Sequence, residues 1–430
     1  MLLGLSVRRR LCGKAAPRIV VASAGAVAKC AIVDDSAARS DGAGGKAYII
    51  APQMPINFVL VLSSVLFVSL KGSRVLVTLF AVDLGASALE VSLLFALHGL
   101  FPLLLAVSAG RIADRYDNRI LIYCGLGGYA TSLSLPYFFP ALTTMFFSVA
   151  LGGLTSMMFV IATQNLVGQL SNADTRTRNF SRYSLGESVA SVAGPVFVGW
   201  GIDHLHHPLT FLCLALFSAV WMVVVYARHS SVPAGVRAGA SPAAGGAKGL
   251  LGNRALRAAL LTNSVVMMGL DLFNLYIPVY ARSLGFSATT IGFVVGAFGV
   301  AGFITRLAIP PITARYGERR MLAGALVLSA LAYLSFPLMH TPVPLAASAF
   351  VLGLGLGCGQ PLSMILAFNA APAGRSAEAL AMRLAVSYGA HVVIPPVFGA
   401  LGTALGLAPV FWTCAMLLGG GSYLNRAPKS

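Results

Sequence analysis

Several charged side chains sit inside stretches of sequence that are otherwise apolar, and that setting decides what chemistry they can do. Asp271 lies about halfway along the apolar run 258–281, and Glu187 lies in the first third of 183–203. Lys71 and Arg74 fall in the last third of 55–79, with His98 in the middle of 90–110 and His391 in the middle of 380–403. A charge at the centre of a bilayer costs about 2.5–3.5 kcal/mol on insertion scales, so one that stays there has a partner, a substrate or a proton to serve. Asp271 is the foremost candidate: its carboxylate can exchange a proton or meet a cation, and Asn274 and Tyr276 nearby can hydrogen-bond. The competing reading is a static pair with a basic neighbour such as Lys71. Glu187 is placed to pair with Arg182. Arg74 is either a substrate contact or an anchor at the headgroups, and Arg306 and Arg383 lie near run ends from which long side chains reach water. The two histidines read as packing residues, with proton relay the minor alternative.

Other chemistries find little support. Asp203, His204, His206 and His207 are crowded together, but a loop without a cysteine partner makes a poor site, so no metal is expected. The six cysteines (12, 30, 124, 213, 358, 414) form no CxxC pair. A glycine loop ending in lysine, the mark of ATP use, is missing. No nucleophile-with-base motif occurs, so neither an enzyme nor a cofactor is expected.

The elements that must position these residues follow from composition. Apolar residues make up 57% of the 430 and charged residues only 10%, against about 25% charged in ordinary soluble domains. A net charge of +17 raises the possibility of nucleic acid. The basic residues, however, lie in short breaks between apolar runs rather than along one folded face. Runs long enough to cross a membrane, about 20 residues each, lie near 55–79, 90–110, 120–138, 141–164, 183–203 and 208–227. A second six lie near 258–281, 288–310, 319–339, 342–368, 380–403 and 406–424. Continuous apolar runs rather than alternation point to helices, not a barrel.

The breaks between spans 2–3, 4–5, 6–7, 8–9 and 10–11 carry the arginines and lysines, whereas the opposite breaks carry only Arg282. The bias of positive charge towards the cytoplasm then places both termini inside the cell, with the protein in the inner (plasma) membrane. Residues 1–53 hold eight Lys or Arg and no run long enough to span. They are expected to be a disordered or non-native extension, with the functional body starting at Met54. Domains are expected at 54–227, 258–424, a linker at 228–257 rich in Ala, Gly, Ser and Pro, and a tail at 425–430.

The two halves repeat. Arg115, Tyr116 and Arg119 recur as Arg315, Tyr316 and Arg319, 200 residues on, and Gly194-Pro195-Val196-Phe197 recurs as Pro395-Pro396-Val397-Phe398. Corresponding segments of this kind mark a transporter built from two similar halves. The stretch from Gly110 through Asp114, Arg115 and Arg119 resembles the 2–3 loop signature of the major facilitator superfamily. It departs at Asp117, where glycine is expected, and the second copy has Ala314 in place of the aspartate. Gly194, Pro195 and Gly199 resemble a shortened form of that family's span-5 antiporter motif. The glycines of span 8 (292, 296, 299) and span 10 (353, 355, 357, 359) read as helix-packing faces.

This resemblance implies an all-α membrane protein of twelve transmembrane helices in two pseudo-symmetric six-helix bundles. It implies that Gly110, Asp114, Arg115 and Arg119, with Arg315 and Arg319, lock the cytoplasmic ends. It also places spans 1, 4, 7 and 10 around a central cavity, so Lys71, Arg74, Gln164, Asn165, Asp271, Asn274, Tyr276 and Gln360 become lining candidates, with Glu187 beside them. The expected partners are a small-molecule substrate, protons and the lipid bilayer, with no nucleic acid and a monomeric chain. The leading expectation is proton-coupled efflux of a small amphipathic or aromatic compound by alternating access. Import of a small organic anion is the alternative, and a non-transporting membrane sensor or enzyme is the rival of another class.

Overall fold

The computed structural model describes residues 18–22, 29–33, 56–115, 117–171, 173–228, 252–371 and 376–424. Within 18–33 and 106–115, and at 173, 174, 176, 177, 376–378, 380, 381 and 424, the description is of the backbone alone. Met54 lies outside the described residues. The chain divides into two units, a small one containing residues 1–55 and a large helical one holding the spans. In the small unit Arg18–Ala22 (β1) pairs antiparallel with Lys29–Val33 (β2), where the sequence was read as irregular. The short apolar stretches around these residues supply the pairing, and neither is long enough to span.

In the large unit the spans are Ile56–Asp83 (span 1), Ala88–Arg115 (2), Asn118–Phe138 (3) and Leu142–Gln169 (4). Spans 5 and 6 form one run, Ala173–Ala227, broken at His206. The second half has Arg254–Ser283 (7), Ala288–Tyr316 (8) and Glu318–Ser335 (9). Span 10 is split into Pro342–Leu356 and Gly359–Asn369, followed by Ser376–Leu405 (11) and Leu407–Leu424 (12). Among the described residues nine helices are long and apolar enough to cross a membrane. One of them, Arg178–Ala227, is two passes, and spans 3 and 12 complete twelve.

Local sequence explains the turns, and it does so twice at an offset of 200. Spans 1 and 7 both end at a glycine with positive φ, Gly85 (83°) and Gly285 (78°), where a side chain would clash with the backbone. In each, the next amide closes the helix end, Ala86 N–H to Ala81 O and Phe286 N–H to Ala281 O. Each following span is capped by a serine: Ser87 Oγ accepts from Glu90 N–H, and Ser287 Oγ from Thr290 N–H. The departure at Asp117 also has a local cause. Gly317 turns at φ 79° to start span 9, whereas Asp117 keeps φ −62° and starts span 3 by accepting the Arg119 amide.

The halves meet where small residues let backbones approach. A methyl group built on Gly292 of span 8 would lie 2.5 Å from Pro195 O of span 5, and one on Gly199 would strike Ala288 O. Gly296 and Gly299 face Val196 and Ser191 of the same span 5. Span 2 packs on span 11 in the same way, with Gly399 against Ser92 and Gly99 against His391. The glycines of span 10 serve their own half, Gly353 against Phe298 and Gly359 against Val266. With as many apolar groups outside as inside, close packing rather than exclusion of water holds such helices together.

Candidate transport site

Two adjoining cavities occupy the centre of the helical unit. The larger, about 390 Å3, is lined by spans 1, 2, 4, 5 and 11 and is mainly apolar, with Phe67, Val91, Phe95, Met157 and Ile161 on its wall. The smaller, about 230 Å3, is lined by spans 1, 5, 7, 8, 10 and 11 and is rich in polar groups, the charged Asp271 and Arg306 beside the amides of Asn274 and Gln360. Lys71, Arg74, Glu187 and His391 belong to both walls. Spans 1, 4, 7 and 10 contribute as expected, and spans 2, 5, 8 and 11 contribute as well.

Span 1 runs four residues beyond the apolar stretch, to Asp83. That extension moves Lys71 from the last third of the span to near its middle, level with Glu187. Lys71 Nζ lies 3.1 Å from Glu187 Oε1 and donates to it. Glu187 therefore pairs with Lys71 rather than with Arg182, and Lys71 is not the partner of Asp271. That partner is His391, whose Nδ1 lies 2.5 Å from Asp271 Oδ2. The two atoms approach closely without hydrogen-bond alignment, so Oδ2 has no hydrogen bond although Asp271 is 1% exposed. Lys71 and Asp271 stand at the 200-residue offset of the repeat. Each half thus pairs its first span with its fifth, the acid on span 5 in one half and on span 7 in the other.

Arg74 lies over the Phe95 ring at 5.3 Å from its centroid and faces both cavities, so it is not a headgroup anchor. Gln164 lines the larger cavity; Asn274 lines the smaller and donates to Leu270 O at 2.6 Å. Gln360 lines the smaller cavity, its Nε2 3.7 Å from Met267 Sδ. Two expected lining residues are elsewhere. Tyr276 is 1% exposed and joins span 7 to span 2 through Ser92 Oγ at 2.9 Å. Asn165 donates to Asn118 Oδ1 at 3.1 Å, tying span 4 to span 3. In a helix, neighbours one or two positions from a lining residue point to different faces, and the sequence alone cannot say which.

His391, expected to be a packing residue, and Arg306, expected near a run end, both line the smaller cavity. Arg306 donates through Nη1 to Ser184 O (3.1 Å) and Ser188 Oγ (2.6 Å) across the halves, and its Nε is buried without a partner. Span 8 continues to Tyr316, six residues past the apolar run, so Arg306 lies ten residues from its end and on the wall of the smaller cavity.

The ends carry further ties. Where spans 1–2 and 7–8 turn, Arg282 holds Asp83 with both arms, Nε to Oδ1 at 2.9 Å and Nη2 to Oδ2 at 2.8 Å. His207 adds a contact at 3.4 Å. Asp203 accepts the Ala288 and Thr289 amides at 3.0 and 2.7 Å, capping span 8 from the other half. This is the role of the Asp203 cluster, and no group of three metal-ligating side chains occurs among the described residues. In the span-5 motif, Gly194 meets the span 1 backbone at Val68 O and Gly72 N, Gly199 meets span 8, and Pro195 borders the smaller cavity. At the opposite end Arg315 lies over the Tyr316 ring, and Arg319 lines a shallow cavity with Glu318 and Arg320. For Gly110, Asp114 and Arg115 only the backbone is described.

A sequence model of the Major Facilitator Superfamily matches residues 58–280 and 259–428, so both halves are covered. The chain belongs to that superfamily. It is a multi-pass membrane transporter and not an enzyme. It is 23% identical over 360 residues to the multidrug efflux pump LfrA of Mycolicibacterium smegmatis, covering 71% of each chain. It is 25% identical over 354 residues to the efflux pump azaK of Aspergillus niger, covering 76% of this chain and 75% of that one. Its fold matches a mutant form of the nucleoside transporter NupG with a TM-score of 0.74 at 14% identity, over 86% of this chain and 98% of the other. A peptide transporter of the POT type matches at 0.70 and 15% identity, over 86% and 93%. At such identities the structural likeness speaks for the fold alone.

Proposed function

We propose that this transporter is a proton-coupled exporter of a small amphipathic or aromatic compound, working as a monomer by alternating access in the cell inner membrane with both termini cytoplasmic. The observation that carries the reading is the pair of adjoining central cavities, one apolar and one polar, whose shared wall holds the Lys71–Glu187 pair and His391, with Asp271 meeting His391 from the smaller cavity. A compound with an apolar body and a polar end fits such a site: the larger cavity, about 390 Å3, lies within the range of about 300–1,000 Å3 usual for small-molecule sites, and the smaller adjoins it. The efflux pumps among its relatives favour export over import. Asp271 and His391 are the coupling pair: a proton on the carboxylate breaks the contact, and its departure remakes it. The inter-half ties at the Asp83–Arg282 end close the outer side in one state. Asp114, Arg115, Arg119, Arg315 and Arg319 close the cytoplasmic side in the other, and 228–257 links bundles 54–227 and 258–424.

Proteoliposomes holding a pH indicator test this. A panel of dyes, organic acids and sugars is added, and proton movement opposite to compound movement is the expected result. Asp271→Asn should abolish transport driven by a pH gradient while exchange of unlabelled for labelled compound continues. Unchanged pH dependence in the variant removes Asp271 from coupling, and no flux of any compound overturns the export reading.

A further inference from the structure

We propose that the compound this site takes is an amphipathic organic anion, its acidic group held by Arg74 and Arg306 in the smaller cavity and its apolar body in the larger. The proposal rests on the transport reading and names its substrate class. Charge balance around the two cavities carries it. Three basic side chains, Lys71 and the guanidinium groups of Arg74 and Arg306, face two carboxylates, Glu187 and Asp271. Lys71 answers Glu187 and His391 faces Asp271, so both carboxylates already have a basic group against them. Neither guanidinium has a carboxylate within ion-pair reach among the described residues. Arg74 has the Phe95 ring beneath it, and Arg306 has a carbonyl, a hydroxyl and a buried Nε with no acceptor.

A cation removed from water without a counter-charge is costly, and removing or supplying its partner changes binding strongly. An entering anion supplies the missing acceptor. A guanidinium presents its N–H groups as a planar fork that matches a carboxylate, sulfonate or phosphate oxygen pair. A cationic compound would have to displace Lys71 or His391 from the acids first, and it would approach two arginines that have no carboxylate within ion-pair distance among the described residues. Arg74 lies on both walls, so an acid gripped there leaves the rest of the molecule against Phe95 and Met157, with room for a fused aromatic ring.

Three compounds with one ring and different heads decide the matter: 2-naphthoate, 2-naphthylmethanol and 2-naphthylmethylammonium. Their binding is measured calorimetrically to the full chain in lipid nanodiscs. Naphthoate should bind about tenfold or more tighter than the other two, as expected for one charge-assisted contact. Arg74→Gln and Arg306→Gln should each bring naphthoate down to the level of naphthylmethanol, leaving naphthylmethanol itself unchanged. Arg74→Lys should retain part of the preference, and Arg74→Glu should turn it towards the ammonium compound. If either glutamine variant fails to insert, the other carries the same comparison. Equal or tighter binding of the neutral or cationic compound by wild type overturns the proposal, as does equal weakening of all three ligands in the glutamine variants. Selective naphthoate binding without flux in proteoliposomes would uphold the anion site and overturn export instead.

Discussion

His206 holds φ 63° and ψ 169°, a conformation that only glycine adopts freely, and it does so at the corner between spans 5 and 6. Two hundred residues on, the corner between spans 11 and 12 is turned by Gly406 at φ 84°. The histidine is exposed, and its carbonyl accepts from Thr210 Oγ1 at 2.8 Å, a bond that any residue could keep. Strain of this kind costs about 1–3 kcal/mol, and the extra freedom of glycine in the unfolded chain returns about 0.5–1 kcal/mol of that. His206→Gly should therefore raise Tm by about 1–2 °C, the shift expected of about 1 kcal/mol in a helical unit of this length. Thermal unfolding followed in detergent checks it, with His206→Ala as the control that should gain nothing. At the same scale, the Lys71–Glu187 and Asp271–His391 pairs were not legible from the chain. Each joins residues more than a hundred positions apart, and spacing within one helix carries no information about its neighbour.

At the level of the helices, the span 5–span 8 contact is the most sensitive to side-chain size. Gly292 leaves no room for a methyl group beside Pro195 O, and the obstacle is backbone, which cannot swing aside. Gly292→Val should force the two spans apart at a cost of about 1–3 kcal/mol, as overpacking does elsewhere. It should also weaken transport, because this contact joins the two halves near their turn end. Gly324 in span 9 has nothing within 4 Å of a built methyl group, so Gly324→Ala should leave Tm and flux unchanged. Equal behaviour of the two variants would show that the contact is looser than described. The periodic glycines had announced a packing face; which helix they pack against came only from the assembled bundle.

The whole molecule is two similar halves, and the proposed cycle has them part at one end while meeting at the other. Asp83, Arg282 and His207, with Asp203 on the start of span 8, tie the halves at the end where spans 1–2 and 7–8 turn. An exposed ion pair contributes only about 0–1 kcal/mol, yet two states of comparable energy are shifted severalfold by that amount. Asp83→Asn should therefore lengthen the distance between spin labels at Leu84 and Ser283, read by double electron–electron resonance in a chain freed of its six cysteines. A distance distribution identical to that of the unsubstituted chain would exclude this tie from the cycle.

Composition and the length of the apolar runs by themselves determined that the chain crosses a membrane many times as helices, because lipid leaves the backbone no other way to satisfy its hydrogen bonds. The 200-residue repeat and the Asp114–Arg115–Arg119 stretch by themselves pointed to the superfamily. They did so because a duplicated half keeps its turn residues, as Gly85 and Gly285 show. Asp271, Arg74 and Lys71 could be singled out because a charge inside lipid needs a use, and the family resemblance, which implies that spans 1 and 7 border a cavity, made them lining candidates. Only the tertiary structure decided that Lys71 meets Glu187, that Asp271 meets His391, and that Tyr276 and Asn165 turn away to join neighbouring helices. It alone left Arg74 and Arg306 facing the cavities without a carboxylate. The physical reason is the same in each case: a helix fixes the angle between its own side chains, while the partner across the gap is fixed by how the bundles pack.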